Sequence, residues 1–163
     1  MIRADQYCSA GDLLTGLIRI PSVNPEGDPG TGHENTGEEK IARAVGSFLE
    51  DLGAKVRFDE VEPGRPNVVA TFPGGADKPA VLLGPHLDTV GVGAMSIDPF
   101  GGVREGGRIY GRGACDTKGT MAAMLWALKE LGPKAEGKGG CGGAIAPPPK
   151  TSNSALISAL KLY

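Results

Sequence analysis

Three side chains in this sequence have the types and spacing of a hydrolytic metal site: His86, Asp88 and Asp116. His86-Leu87-Asp88 follows an uncharged apolar run, Ala80-Val81-Leu82-Leu83-Gly84. In extended backbone, residues i and i+2 point to the same side, so His86 and Asp88 share a face. Imidazole is a good zinc ligand, and such a ring usually has a carboxylate behind it to hold its orientation. Asp88 has the spacing for that role. Asp116 follows the glycine-flanked turn Gly111-Arg112-Gly113-Ala114-Cys115 and precedes Thr117-Lys118-Gly119 and an apolar helical stretch. Together they place one imidazole and two carboxylates at the ends of core elements.

Plainer readings compete. An isolated His-x-Asp is most often a loop histidine with a local partner. Asp116 or Thr117 can serve as an N-cap, where unpaired N–H groups and the helix dipole favour a carboxylate. Capping alone leaves the flanking Gly111, Gly113 and Lys118-Gly119 unexplained. A phosphate loop is disfavoured, because Asp116 occupies the third glycine position of GxGxxG and would repel a pyrophosphate. Cys115 has no second histidine near it in sequence and reads as a buried structural thiol rather than a nucleophile. His33 sits in a polar loop, 22–35, and reads as solvated.

The elements that must position these groups follow from periodicity. Ser9 caps a first helix with Leu13, Leu14, Leu17 and Ile18 as its stripe, ended by Pro21. Thr36-Gly37-Glu38-Glu39 reads as a capping box for a second helix. Ile41, Val45, Phe48, Leu49 and Leu52 form its buried face, and Gly53 is its C′ residue. Ala54–Val61 alternates like a half-exposed strand, Pro63-Gly64-Arg65-Pro66 turns, and Asn67–Phe72 is a second strand. Ala80–Gly84 reads as a central buried strand. Residues 89–107 form a long loop, Arg108-Ile109-Tyr110 a short strand, and Thr117–Leu131 a third helix. Met121, Met124, Leu125, Leu128 and Leu131 are its expected stripe.

Two segments are expected: a partial catalytic domain over 1–131 and a low-complexity, disordered Gly/Pro-rich tail over 132–163. Within the tail, Leu156, Ile157, Leu160 and Leu162 stand at helical spacing. The formal charge of −2 gives no electrostatic reason for nucleic acid or an anionic membrane as partner. No apolar run approaches bilayer length, and the first residues lack the apolar core of a signal peptide. Cys8, Cys115 and Cys141 form no CxxC pair and read as reduced thiols of a cytoplasmic protein.

Four motifs in order resemble the zinc amidohydrolase and peptidase family that includes acetylornithine deacetylase, succinyl-diaminopimelate desuccinylase, carboxypeptidase G and the aminoacylases. They are Leu17-Ile18-Arg19-Ile20-Pro21-Ser22-Val23-Asn24-Pro25, Asn67-Val68-Val69-Ala70, Leu82–Val90, and Ile109–Gly119 leading into the helix. The resemblance covers roughly residues 10–131. It implies an α/β fold, the N-terminal portion of a three-layer α/β/α zinc-peptidase-like catalytic domain, followed here by the irregular tail. It implies His86 as a ligand of one zinc, Asp116 as a carboxylate bridging two, and Asp88 as the active-site carboxylate behind His86. The Asp116–Thr117 peptide bond is expected to be cis. Two Zn2+ ions per complete site, with cobalt as a substitute, would generate hydroxide near neutral pH and hydrolyse an N-acyl amino acid or small peptide.

The sequence departs from the family pattern at Pro85, where glycine is usual, and at Gly91, where proline is common. Relatives also supply a Glu-Glu pair, a further carboxylate ligand and a late histidine downstream. After Leu131 this sequence has one acidic residue, Glu136, and no histidine. The expectation is a fragment, inactive alone, whose tail reads like a shifted reading frame. The alternative is a non-catalytic remnant, or one half of a split enzyme acting as an interaction module. A homo-oligomer or a complementing C-terminal fragment is the expected partner.

Overall fold

A computed structural model describes residues 2–26, 33–72 and 81–131, with the backbone of three further strands at 134–135, 144–145 and 155–160. Along the described residues two α-helices come first, then five strands, a third α-helix and three further strands, so helix and sheet are mixed in one chain. Helix α1 spans Ala10–Ile18 and begins as expected, with Ser9 as N-cap accepting from the Asp12 N–H. Leu13, Leu17 and Ile18 are buried. Helix α2 spans Glu39–Asp51 and buries Ile41, Val45, Phe48 and Leu49. Gly53 follows at φ +86°, the left-handed C′ conformation that glycine adopts without a Cβ penalty.

The capping box does not form. Glu38 is the N-cap and makes no side-chain cap bond. Its carboxylate is fully buried and instead takes two bonds from Arg65, at 2.9 and 3.0 Å. A charge-assisted pair with two parallel bonds outweighs a single capping bond.

Strands β1 (Lys55–Glu62) and β2 (Arg65–Thr71) form an antiparallel hairpin across the expected Pro63-Gly64 turn. The main sheet has the order β1-β2-β8-β3, with β3 at Val81–Leu82 and β8 at Ala155–Leu160. Two expectations fail here. The apolar tail segment is a strand, antiparallel to β2 and parallel to β3, rather than a helix. Its residues are apolar at nearly every position, so they fit either period, and pairing decides. The 80–84 run is not a central strand. Among the described residues β3 pairs with β8 alone and lies at the sheet edge, with Leu82 60% exposed.

A second ribbon pairs β4 (Val103–Glu105) with β5 (Arg108–Tyr110); β4 lies inside the expected long loop. Helix α3 spans Lys118–Leu131. It buries Met121 and Leu125 but leaves Leu131 74% exposed. Short strands β6 (Lys134–Ala135) and β7 (Ala144–Ile145) pair with each other. The rest of the tail, with the disorder expected for it, lies outside the described residues.

One hydrophobic cluster joins Leu13 and Leu17 of α1, Val45 and Phe48 of α2, Val68 and Ala70 of β2, Leu87, and Met121 and Leu125 of α3. Cys115 is exposed and free, which corrects the expectation of a buried thiol. Cys8 is disulfide-bonded rather than reduced, to a partner outside the described residues.

Candidate metal-binding site

The site is built from a patch of three extended segments rather than from a strand end alone. Val23 bridges Thr36 on one side and Thr89 on the other, both in parallel. Four backbone bonds hold the patch: Val23 N–H to Asn35 O (3.0 Å), Gly37 N–H to Val23 O (2.9 Å), Thr89 N–H to Ser22 O (2.9 Å) and Asn24 N–H to Thr89 O (2.8 Å). Leu87 and Val23 are fully buried. Alternation therefore turns His86 and Asp88 together away from the core, as the period of an extended chain demands.

The opposite side of the site comes from the turn before α3. Gly113 sits at φ +77°, and a Cβ there would lie 2.8 Å from the Thr89 methyl group. Only glycine lets this turn come so close to the His86 segment. The Asp116–Thr117 bond is cis, as expected.

These two sides bring His86, Asp88 and Asp116 together. His86 Nε2 lies 3.0 Å from Asp116 Oδ1. His86 Nδ1 lies 2.9 Å from the Asp88 carbonyl oxygen and 3.2 Å from its carboxylate. The nearest group behind the ring is thus the backbone oxygen of Asp88. The Asp88 carboxylate in turn accepts from Asn24 Nδ2 at 3.1 Å. Burial disfavours the charged imidazole, but bonds to the Asp116 carboxylate and the Asp88 carbonyl outweigh it and raise the His86 pKa.

The tautomer follows from the donor inventory. A carbonyl oxygen only accepts, so Nδ1 must donate to it. In the neutral ring Nε2 then presents a lone pair to a carboxylate oxygen 3.0 Å away. Two acceptors at that distance require a cation between them: a proton on the ring, or a metal. Two ligands on one tetrahedral zinc stand roughly 3.3 Å apart, given bond lengths of about 2.0–2.2 Å. The donor set and its spacing therefore fit zinc, as part of a ligand set. Among the described residues no group of three or more His, Cys, Asp or Glu side chains gathers as a metal site.

Residues 82–140 match the sequence model of Peptidase family M20/M25/M40. The chain is 34% identical over 122 residues to acetylornithine deacetylase of Vibrio atlanticus, covering 74% of this chain and 31% of that one. It is 38% identical over 130 residues to succinyl-diaminopimelate desuccinylase of a Methylobacterium species, covering 74% of this chain and 30% of that one. An M20 family metallo-carboxypeptidase from Sulfolobus solfataricus superposes with a TM-score of 0.61 at 30% identity, over 72% of this chain and 26% of the other. Human carnosine dipeptidase 1 gives 0.58 at 25% identity, over 71% and 26%.

Over its N-terminal part the chain is similar to the M20 family. It spans about 31% of the length of the acetylornithine deacetylase it matches. Its fold is the N-terminal portion of the M20 three-layer catalytic domain. Those relatives are a deacetylase, a desuccinylase, a metallo-carboxypeptidase and a dipeptidase.

Two polar residues around this candidate site carried no assigned role in the sequence. Asn24 was visible only as part of Ser22-Val23-Asn24-Pro25, and nothing local ties it to Asp88. Lys118 is 1% exposed and donates to the Ile20 carbonyl at 2.7 Å. Burial pushes its pKa down to about 7. Its signal was charge at the first position of an otherwise apolar helix face. The backbone of His33 belongs to a single 3-10 turn, His33–Asn35.

Proposed function

We propose that this chain contributes one side of a zinc-dependent site hydrolysing the amide bond of N-acyl amino acids or small peptides. The observation that carries the reading is the approach of His86 Nε2 to Asp116 Oδ1 at 3.0 Å while Nδ1 is committed to the Asp88 carbonyl. In this reading His86 and Asp116 are ligands, Asp116 is also the bridging carboxylate, and Asp88 with Asn24 holds the imidazole. Zinc bound there would polarise an amide carbonyl and acidify a water to about pKa 7. The chain's own part is to aim the Nε2 lone pair and to keep the opposing carboxylate at ligand spacing.

One imidazole and one carboxylate fall short of the three protein ligands usual for catalytic zinc. We therefore propose weak zinc binding and no turnover by this chain alone, with the remaining ligands supplied by further sequence or a complementing chain. Cytoplasmic location is part of the proposal. Calorimetric zinc titration of the chain and of His86→Ala tests the site. Weak binding that disappears in the variant is expected. Equal binding by both removes His86 from the ligand set, and metal-dependent deacylation by the purified chain overturns the claim of inactivity.

A further inference from the structure

Lys118 touches both sides of the site. Its backbone N–H bonds the Gly113 carbonyl at 2.9 Å, closing the turn that carries Asp116. Its side chain runs inward and bonds the Ile20 carbonyl at 2.7 Å. Pro21, with its fixed φ, joins Ile20 to Ser22. Ser22 O takes the Thr89 N–H, and Asn24 grips the Asp88 carboxylate. The chain of contacts closes on itself: Lys118 to Ile20, through 22–24 to Asp88 and His86, across to Asp116, and back to Lys118. The stem is fitted as closely as the head: a Cβ on Gly113 would meet Lys118 Cδ at 3.2 Å, beside the Thr89 methyl.

An apolar side chain of equal length would fill this space without the cost of burying an ammonium. What the ammonium adds is a directional bond between the two sides. We propose that Lys118 is a positioning residue, whose bond to the Ile20 carbonyl sets the separation of His86 from Asp116. Removing it leaves both sides folded on their own segments but frees one to shift against the other. The metal consequence rests on the zinc reading above; the geometric consequence does not.

The test uses the full chain with Lys118→Met, nearly isosteric and apolar, against Leu125→Ala. Leu125 is buried on the same helix and has no polar link to the site. Nitrogen NMR of the metal-free ring is the first readout. At a pH above the His86 pKa, where the ring is neutral, wild type should show one tautomer with a slowly exchanging Nδ1–H. Lys118→Met should show mixed tautomers, while Leu125→Ala, though it melts lower, keeps the wild-type signals. Zinc affinity is the second: Lys118→Met should weaken it about 10-fold or more, the scale seen when groups that orient ligands are lost, and Leu125→Ala less than about 2-fold. Wild-type ring signals in Lys118→Met, or equal changes in both variants, overturn the proposal. Should wild type bind no zinc, the zinc reading fails and the ring signals alone decide Lys118. Should Lys118→Met not fold, the wild-type Lys118 ammonium decides: slow proton exchange with coupling to the Ile20 carbonyl supports the bond, and free exchange overturns it.

Discussion

The two sides of the site are held to very different degrees. His86 stands on a patch with backbone bonds on both flanks, a buried Leu87 beneath it, and Asp88 and Asn24 behind its ring. Asp116 stands on a glycine turn with its side chain 87% exposed, and His86 Nε2 lies 3.0 Å from its carboxylate. One proposed ligand is fixed by the fold; the other meets it from a surface. A metal site assembled this way should lose stability when the first side is cut and lose only affinity when the second is.

The largest effect should come from Leu87→Ala. Leu87 is fully buried in the shared core and is the peptide neighbour of both His86 and Asp88. Truncation should cost about 2–5 kcal/mol in urea unfolding, the range for leucine cavities. It should also release the imidazole. A loss below about 1 kcal/mol would mean that the patch is held by its ladder alone.

Next is the Glu38–Arg65 pair, one step behind the patch. Glu38 precedes α2 just after Thr36 bridges Val23, and Arg65 opens β2. Glu38→Gln leaves the guanidinium half of a buried pair uncompensated, which should cost about 3 kcal/mol. Arg65 keeps Glu62 at 2.9 Å, so the loss should fall at the low end for buried pairs. Equal stability of variant and wild type would show that Glu62 carries the charge alone.

Asn24→Ala should cost less. A hydrogen bond to a charged group is worth about 1.5–3 kcal/mol, and this one at 3.1 Å is only partly buried. About 1 kcal/mol is expected, with zinc affinity down roughly 10-fold because Asp88 loses its anchor. If affinity holds, the carbonyl of Asp88, rather than its carboxylate, is what orients the ring.

What the sequence revealed divides along the same line. Helices α1, α2 and α3 and the β1–β2 hairpin were legible because each shows one dominant period over enough residues. The pairing of His86 with Asp88 was legible from alternation, and its meeting with Asp116 from resemblance. What was hidden depends on long-range partners. Glu38 was only an intervening position of the expected capping box, and its pairing with Arg65, far along the chain, had no local signal. The edge position of β3 depends on β8 pairing between it and β2. Lys118 and Asn24 act on atoms 98 and 64 positions away in sequence, and no local pattern encodes such a reach.

The smallest structural effect belongs to Asp116→Asn, and it sharpens the comparison most. The substitution keeps the shape and removes the charge. Since the side chain is 87% exposed, stability should change by no more than about 0.5 kcal/mol. Zinc binding should nevertheless vanish, because a neutral amide oxygen is a far poorer ligand than a carboxylate and the remaining His86 cannot hold the ion alone. Calorimetry paired with thermal melting separates the two quantities. Loss of affinity at constant melting temperature would establish Asp116 as a ligand that the fold merely presents. A drop in both would mean that the Asp116–His86 contact supports the turn itself, and the division between a held side and a presented side would fail.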